Sequence, residues 1–290
     1  MHSVLEIIRK TTDFLASKGV DNARFNSEVI IGHALGLKRM QLYMQFERFL
    51  TEPELEKVRP LVRRRSLREP LAYVVGDTDF FGLKIRCDRR ALIPRPETEE
   101  LVEHVLSQVA DKAAPLCILD LGTGTGCIAL ALATALPNAT VHAVDASADA
   151  LALAAENAAS LALAARVTFH NSDWYAQLEA GLRFDLIVSN PPYLTEQESA
   201  EAMPEVRQHE PRSALVAPEA GTADLRRIIS GAATFLQPGG LLALETGIAQ
   251  HAALLALMQS AGFADARSLQ DLSKRDRFLS GRLAPAAVSA

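Results

Sequence analysis

The chain has little with which to cross a membrane, staple itself or grip a polyanion. Its longest uncharged stretch, Leu121 to Val144, is broken by a glycine loop and by Pro137, Asn138, Thr140 and His142. It reads as turn, helix and strand, and no membrane span is expected. Met1-His2-Ser3-Val4-Leu5-Glu6 lacks a basic region followed by an apolar core, so no signal peptide is expected. Cysteine is scarce: Cys87, Cys117 and Cys127 are the three in the chain. Their scatter lacks metal-site spacing, so no metal is expected, and an odd count fits a reducing cytoplasm better than a disulfide scaffold. Cys117 and Cys127 lie in apolar surroundings and read as inert. Basic excess is missing too, since the formal net charge is −5. That argues against a general nucleic-acid-gripping surface. No internal repeat or low-complexity tract is present.

What is there organises itself by period. At 290 residues the chain is long enough for two domains, and its 49% apolar share is ordinary for a globular protein. Residues 1 to about 70 carry helical spacing, with Val4, Leu5, Ile8 and Phe14 on one stripe and Val29, Ile30, Ala34 and Leu37 on another. Thr51-Glu52-Pro53-Glu54 opens a further helix with a capping-box pattern. Arg59, Arg63, Arg64, Arg65 and Arg68, with Arg39 and Arg48, form either a local basic patch for a partner or a solvated helix face. Tyr73-Val74-Val75-Gly76-Asp77 and Phe80 to Ile85 alternate and break at glycine, as a hairpin-like connector would. From about Pro96 strands and helices alternate. Ala266–Leu269 and Arg277–Leu283 read as an edge hairpin, and Ala284 to Ala290 as a frayed tail.

A cofactor site is visible in the middle of the chain. The buried-strand pattern Leu116 to Asp120 runs into Leu121-Gly122-Thr123-Gly124-Thr125-Gly126 and an alanine-rich helix from Cys127 to Leu136. Glycines let a backbone approach a ligand closely, and a helix N-terminus offers free N–H groups. The loop spacing is Gly-x-Gly-x-Gly behind an aspartate. It is not the Gly-x-Gly-x-x-Gly of dinucleotide folds, and it resembles the S-adenosylmethionine loop. Asp120 either orients that loop or attracts the cationic end of the ligand. A second strand, Ala139 to Val144, ends in Asp145, where an acidic side chain takes ribose hydroxyls, and Ser147 caps the next helix. A third, Val167 to His170, leads to Asp173 and Trp174. Asp173 is placed to accept from an adenine amino group; Trp174 either lies against the ring or packs in the core.

After the apolar run Phe184 to Ser189 stands Asn190-Pro191-Pro192-Tyr193. This resembles the signature of enzymes that methylate a planar, conjugated nitrogen. Such a nitrogen is a poor nucleophile, and a site must hold it by two acceptors; the Asn190 side-chain oxygen and the Pro191 carbonyl are candidates. Two successive prolines stiffen the loop, which suits placement of a reacting atom. Tyr193 either flanks the reacting group or packs. All these motifs fall at the carboxyl ends of strands, where open α/β sheets bind ligands.

With those residues in hand, the chain resembles the release-factor glutamine methyltransferases, the PrmC/HemK family, over nearly its whole length. The most specific stretch is Gly76 through Glu100, including Phe81-Gly82 and Leu92-Ile93-Pro94-Arg95-Pro96-Glu97-Thr98-Glu99. Glu210-Pro211, Ala214-Leu215 and Asp271 to Arg277 match later landmarks, while Val216 to Gly221 and Glu245-Thr246-Gly247 differ slightly from the family forms. The resemblance implies an α/β protein with a Rossmann-like class I methyltransferase domain, its seven-stranded, mostly parallel sheet ending in an antiparallel hairpin. It implies a helical substrate-recognition domain over 1–72, a β-hairpin connector over 73–96 and the S-adenosylmethionine-dependent domain over 97–285. Asp120, Gly122, Thr123, Gly124, Thr125, Gly126, Asp145, Asp173, Trp174 and Asn190 would bind cofactor. Asn190, Pro191 and Tyr193 would be catalytic, with Pro192 and Phe81 beside them toward the substrate. The implied reaction is methylation of the glutamine of the Gly-Gly-Gln loop in class 1 release factors, by a cytoplasmic monomer that binds neither membrane nor nucleic acid. A ribosomal-protein glutamine methyltransferase and a nucleic-acid adenine methyltransferase share the chemistry and stand as alternatives.

Overall fold

The computed structural model describes residues 2–285, and the expected tail beyond Pro285 lies outside the described residues. The chain divides into two compact units, Met1–Asp77 with Met203–His209, and Thr78–Ala202 with the chain from Glu210 on.

The first unit is helical. Val4–Ser17 starts at Ser3, whose hydroxyl accepts from Glu6 N while the Glu6 carboxylate accepts from Ser3 N. Its buried face is Val4, Ile8, Thr11 and Leu15. Phe14, expected on that stripe, is exposed, because Leu15 holds the next place in the 3.6-residue period. Ile30 and Ile31 of Ala23–Leu35 are fully buried. Glu52–Ser66 begins as its capping box anticipates, with the Glu54 carboxylate accepting from the Thr51 N–H and hydroxyl. Val4, Ile8, Ile31, Leu42, Leu50 and Val58 form one core cluster.

The basic run does not form a patch. Arg64 donates to the Glu69 carboxylate and to the Tyr73 and Val74 carbonyls. Arg65 is buried against Asn26 and Glu205, and Arg68 reaches Glu205 and the Gly19 carbonyl. Arg39 pairs with buried Glu28, Arg48 with Glu54 and Arg59 with Glu52. These guanidiniums have carboxylates five to 140 positions away that sequence spacing does not reveal. Arg63 alone of the cluster is exposed without a partner among the described residues.

Tyr73–Val75, read above as the start of a hairpin, are helical within Leu71–Val75. Pro70 precedes that turn, Gly76 ends it at φ 88, and Val74 is drawn into a helical core cluster with Leu15, Val20 and Ile30. The hairpin itself is β1 (Asp77–Phe80) and β2 (Leu83–Arg86).

The second unit is built on a seven-stranded sheet of β3 (Cys117–Leu121), β4 (Thr140–Asp145), β5 (Val167–Asn171), β6 (Phe184–Ser189), β7 (Leu236–Glu245), β8 (Arg267–Gln270) and β9 (Asp276–Arg282). The strand order is β5-β4-β3-β6-β7-β9-β8. The first five strands named pair in parallel, and β9 joins β7 and β8 antiparallel. Leu119, Leu121, Phe184, Ile187, Leu242 and Leu244 anchor the core beneath it. Order reverses between β3 and β6, so the crevice for a ligand opens where those two strands end. Register puts the ends in one row: Leu121 faces Val144 on one side and Ser189 on the other, and Ser189 faces Leu244.

Candidate active site

A cavity of about 490 Å³ lies on that row of strand ends. Its walls include Gly122 to Thr125, Asp145, Asp173, Trp174, Asn190, Pro192 and, from the connector stretch, Leu92 to Arg95 with Thr98. Most residues singled out by sequence thus share one space. Asp120, Gly126, Pro191, Tyr193 and Phe81 do not line it; they stand behind or away from its walls.

The glycine loop is shaped by what lies under it. Gly122 N and Thr123 N donate to the Val144 carbonyl at 2.8 and 2.9 Å, turning the chain off β3. Gly122, Gly124 and Gly126 have φ of 73, 56 and 82, the left-handed region that side chains disfavour. A Cβ at Gly122 would meet the Trp174 ring at 3.4 Å, an ordinary contact, so it is the left-handed backbone there that calls for glycine. Asp120 is fully buried beneath the loop, its Oδ2 accepting from Thr123 Oγ1 at 2.6 Å and Ala129 N at 3.2 Å. Burial raises its pKa to about 7, with the Asp145 charge adding to the shift. Its Oδ1 is buried without a partner among the described residues. Of its two expected roles, loop orientation is the one these bonds perform. Asn157 was missed by sequence reasoning: its side chain bonds Arg86 N, Arg86 O and Thr125 O, tying β2 to the loop. An asparagine inside an otherwise alanine-rich run was the signal available in the sequence.

Asp145 ends β4 with its carboxylate held by Gly124 N at 2.9 Å and Ser147 N at 2.8 Å. Burial raises its pKa against those bonds. A carboxylate has about four lone-pair sites, so acceptor capacity is left over in a fixed orientation. Trp174 has φ 53 and donates its Nε1–H to Asp224 Oδ1 at 3.1 Å, which turns its ring toward Gly122. Burial raises the Asp224 pKa. Asp173 is exposed and pairs with Arg227 at 2.7 Å.

Past β6, Asn190 Nδ2 donates to Thr98 Oγ1 at 3.0 Å. Thr98 Oγ1 donates to Glu245 Oε2 at 2.8 Å, and Tyr193 Oη donates to Glu245 Oε1 at 3.0 Å. Glu245, at the end of β7, is buried, and burial pushes its pKa up. The Tyr193 hydroxyl is pushed up by burial and by the Glu245 charge, so it is a neutral donor. The Tyr193 ring packs on the sheet core with the Arg277 guanidinium 5.9 Å from its centre. Its contacts are therefore those of a packing and tethering residue. The loop is pinned behind Tyr193 by Leu194 N to Leu215 O, Ala217 N to Leu194 O and Gln250 Nε2 to Tyr193 O. Gly221 makes that clamp possible, since a Cβ there would stand 2.1 Å from the Tyr193 carbonyl oxygen. Pro191 is buried, and its carbonyl has no hydrogen-bond partner among the described residues. Phe81 sits at the hairpin turn with φ 50. On the connector, Arg95 pairs with buried Glu210, whose other oxygen accepts from Ile93 N, so the Leu92–Glu99 stretch is fastened within its own unit.

Among the described residues no cluster of His, Cys, Asp or Glu is arranged to hold a metal, and no helix is long and apolar enough to cross a membrane. The three cysteines are free, and burial raises the pKa of Cys117 and Cys127.

A parallel sheet with a Gly-x-Gly-x-Gly turn after its first strand, an acidic residue ending the second and an Asn-Pro-Pro-Tyr loop after the fourth defines a Rossmann-like methyltransferase domain. Residues 98–210 match the family described as methyltransferase small domain, and residues 6–76 match the PrmC N-terminal domain. The chain is 44% identical over 285 residues to the release factor glutamine methyltransferase of Chlorobaculum tepidum, covering 96% of each. It is 42% identical over 281 residues to that of Geobacter sulfurreducens, covering 97% of each. The chain belongs to the release factor glutamine methyltransferase family. Likeness of fold extends to the T. thermophilus 16S rRNA N2 G1207 methyltransferase, solved with AdoMet and guanosine, at TM-score 0.52 and 20% identity over 71% of this chain and 49% of that one.

Proposed function

We propose that the chain transfers a methyl group from S-adenosyl-L-methionine to the side-chain amide nitrogen of the glutamine in the Gly-Gly-Gln loop of class 1 peptide release factors, acting as a cytoplasmic monomer. Within a chain of this family, the observation that carries the reading is the Asn190 amide, tethered by its nitrogen to Thr98 and left with its oxygen free at the cavity wall. A planar amide nitrogen has a delocalised lone pair, and two acceptors must turn it toward the donor. Asn190 Oδ1 and the Pro191 carbonyl are two neighbouring acceptors without partners among the described residues.

The cavity fits the donor. Gly122 and Gly124 would allow close backbone approach, Asp145 would take the ribose hydroxyls, and Trp174 and Asp173 would hold the adenine. When bound, S-adenosylmethionine supplies an electrophilic methyl group on a sulfonium. The chain's own part is placement. Asn190 and Pro191 hold both amide hydrogens, Pro192 stiffens the loop, and Glu245 keeps Tyr193 fixed behind it. No strong base is required, because the methylated nitrogen is acidic and gives its proton to water.

Labelled donor offered with a release factor, ribosomal proteins and nucleic acid tests the reading. Label is expected on the release-factor glutamine; label on ribosomal protein or nucleic acid with the release factor blank overturns it.

A further inference from the structure

The Asn190 amide can serve as an acceptor only if it faces the right way, and amide oxygen and nitrogen have nearly the same shape. The network behind it decides which way that is. Each Glu245 oxygen accepts one hydroxyl proton, from Tyr193 and from Thr98, and these two bonds favour the charged, accept-only form against the burial that pushes its pKa up. With its one proton committed to Glu245, Thr98 Oγ1 presents only lone pairs to Asn190, 3.0 Å away. The Asn190 group facing it must then be the NH₂. Oδ1 is turned the other way and has no partner among the described residues. Thr98 is 2% exposed and Glu245 1%, so water does not scramble the order of donors. We infer that Thr98, polarised by Glu245, is a positioning residue that selects the acceptor face of Asn190 for the target amide. This rests on the reading that Asn190 holds the substrate nitrogen. Without the Thr98 lone pairs the amide is free to turn over, and an NH₂ facing the substrate N–H groups repels them.

The test is Thr98→Val, which keeps shape and removes the acceptor, beside Thr98→Ser, which keeps it, each also in an Asn190→Ala background. Single-turnover methylation of a release factor at saturating donor should fall about 10- to 100-fold in Thr98→Val, the scale for a misplaced reacting group. Thr98→Ser should recover most of the rate, donor affinity should hold in both, and Thr98→Val should add nothing once Asn190 is Ala. In the free enzyme the Asn190 side-chain NH₂ should be protected from solvent exchange in wild type and Thr98→Ser, and unprotected in Thr98→Val. A wild-type rate in Thr98→Val, an equal loss in Thr98→Ser, or the same loss in the Asn190→Ala background overturns the inference. Wild-type enzyme inert on every release factor would instead refute the proposed substrate, while the exchange measurement still decides the orientation of Asn190.

Discussion

Arg65 Nη2 meets Glu205 Oε1 at 2.8 Å, joining residues 140 positions apart within one compact unit. The side chains are 6% and 11% exposed, and Arg68 adds two hydrogen bonds to the same carboxylate. Burial alone would raise the Glu205 pKa, but the bonds from Arg68 and Arg65 outweigh it and the net shift is downward. Glu205→Ala strands two guanidiniums and should cost about 3–5 kcal/mol, as breaking a buried pair does. Denaturant midpoints measure this. Because the folded pKa is lowered, the stabilisation is present above the unfolded value and lost as pH falls through the folded one. Arg63→Glu, at the exposed member of the run, should stay within about 0.5 kcal/mol of wild type. The reverse ranking would mean that the run is a solvent-facing patch after all.

The strands β3 to β6 were legible as short runs closed by a turn residue, whereas β7, whose first half holds Pro238-Gly239-Gly240, was not read as a strand. The motifs were legible because they sit where strands stop. The expected strand Phe184 to Ser189 is β6 residue for residue. What was not legible depends on partners far along the chain. Thr98 and Glu245, 147 positions apart, meet only once β7 lies beside β6 and the Pro96–Ser107 helix begins near their ends. Thr98 lay in a stretch that resembles the family and Glu245 in one that differs slightly from it, yet nothing local gave either its chemistry. The arginines misled for the same reason: a charge run looks like a surface until its carboxylates are found. Tyr73–Val75 alternate like a strand, and only the flanking Pro70 and Gly76 mark them as one helical turn.

Asp120 supplies a prediction on pH. Its folded pKa, raised by burial to about 7 from 3.8, means that its contribution to stability is fully present below about 3.8 and lost as pH rises through about 7. Asp120→Asn stays neutral, and its oxygen can still accept from the Thr123 hydroxyl and Ala129 N–H. The variant should therefore gain about 1–3 kcal/mol relative to wild type between pH 5 and pH 8, the scale on which burial shifts such a group. Thermal melts of both proteins across that range check it. Parallel curves would mean that the Asp120 pKa is not raised in the folded protein.

Asp145 is held by two backbone N–H groups, so its orientation does not depend on ligand. Asp145→Ala should weaken S-adenosylmethionine binding by about 1.5–3 kcal/mol, the range for hydrogen bonds to a charged group. Titration calorimetry gives the number directly. Unchanged affinity would remove Asp145 from the ribose.

Asn190→Ala addresses the chemical step. The variant removes the acceptor at the cavity wall and the donor to Thr98, but none of the bonds that shape the glycine loop or hold Asp145. Donor affinity should therefore change little. Single-turnover methylation should fall by roughly two to three orders of magnitude, as loss of one preorganised polar group does in other sites. Rapid-quench turnover and donor binding, measured separately on the same preparation, divide the two effects. If both fall together, Asn190 supports the cofactor pocket; if turnover is normal, another group holds the target nitrogen and the two-acceptor account fails.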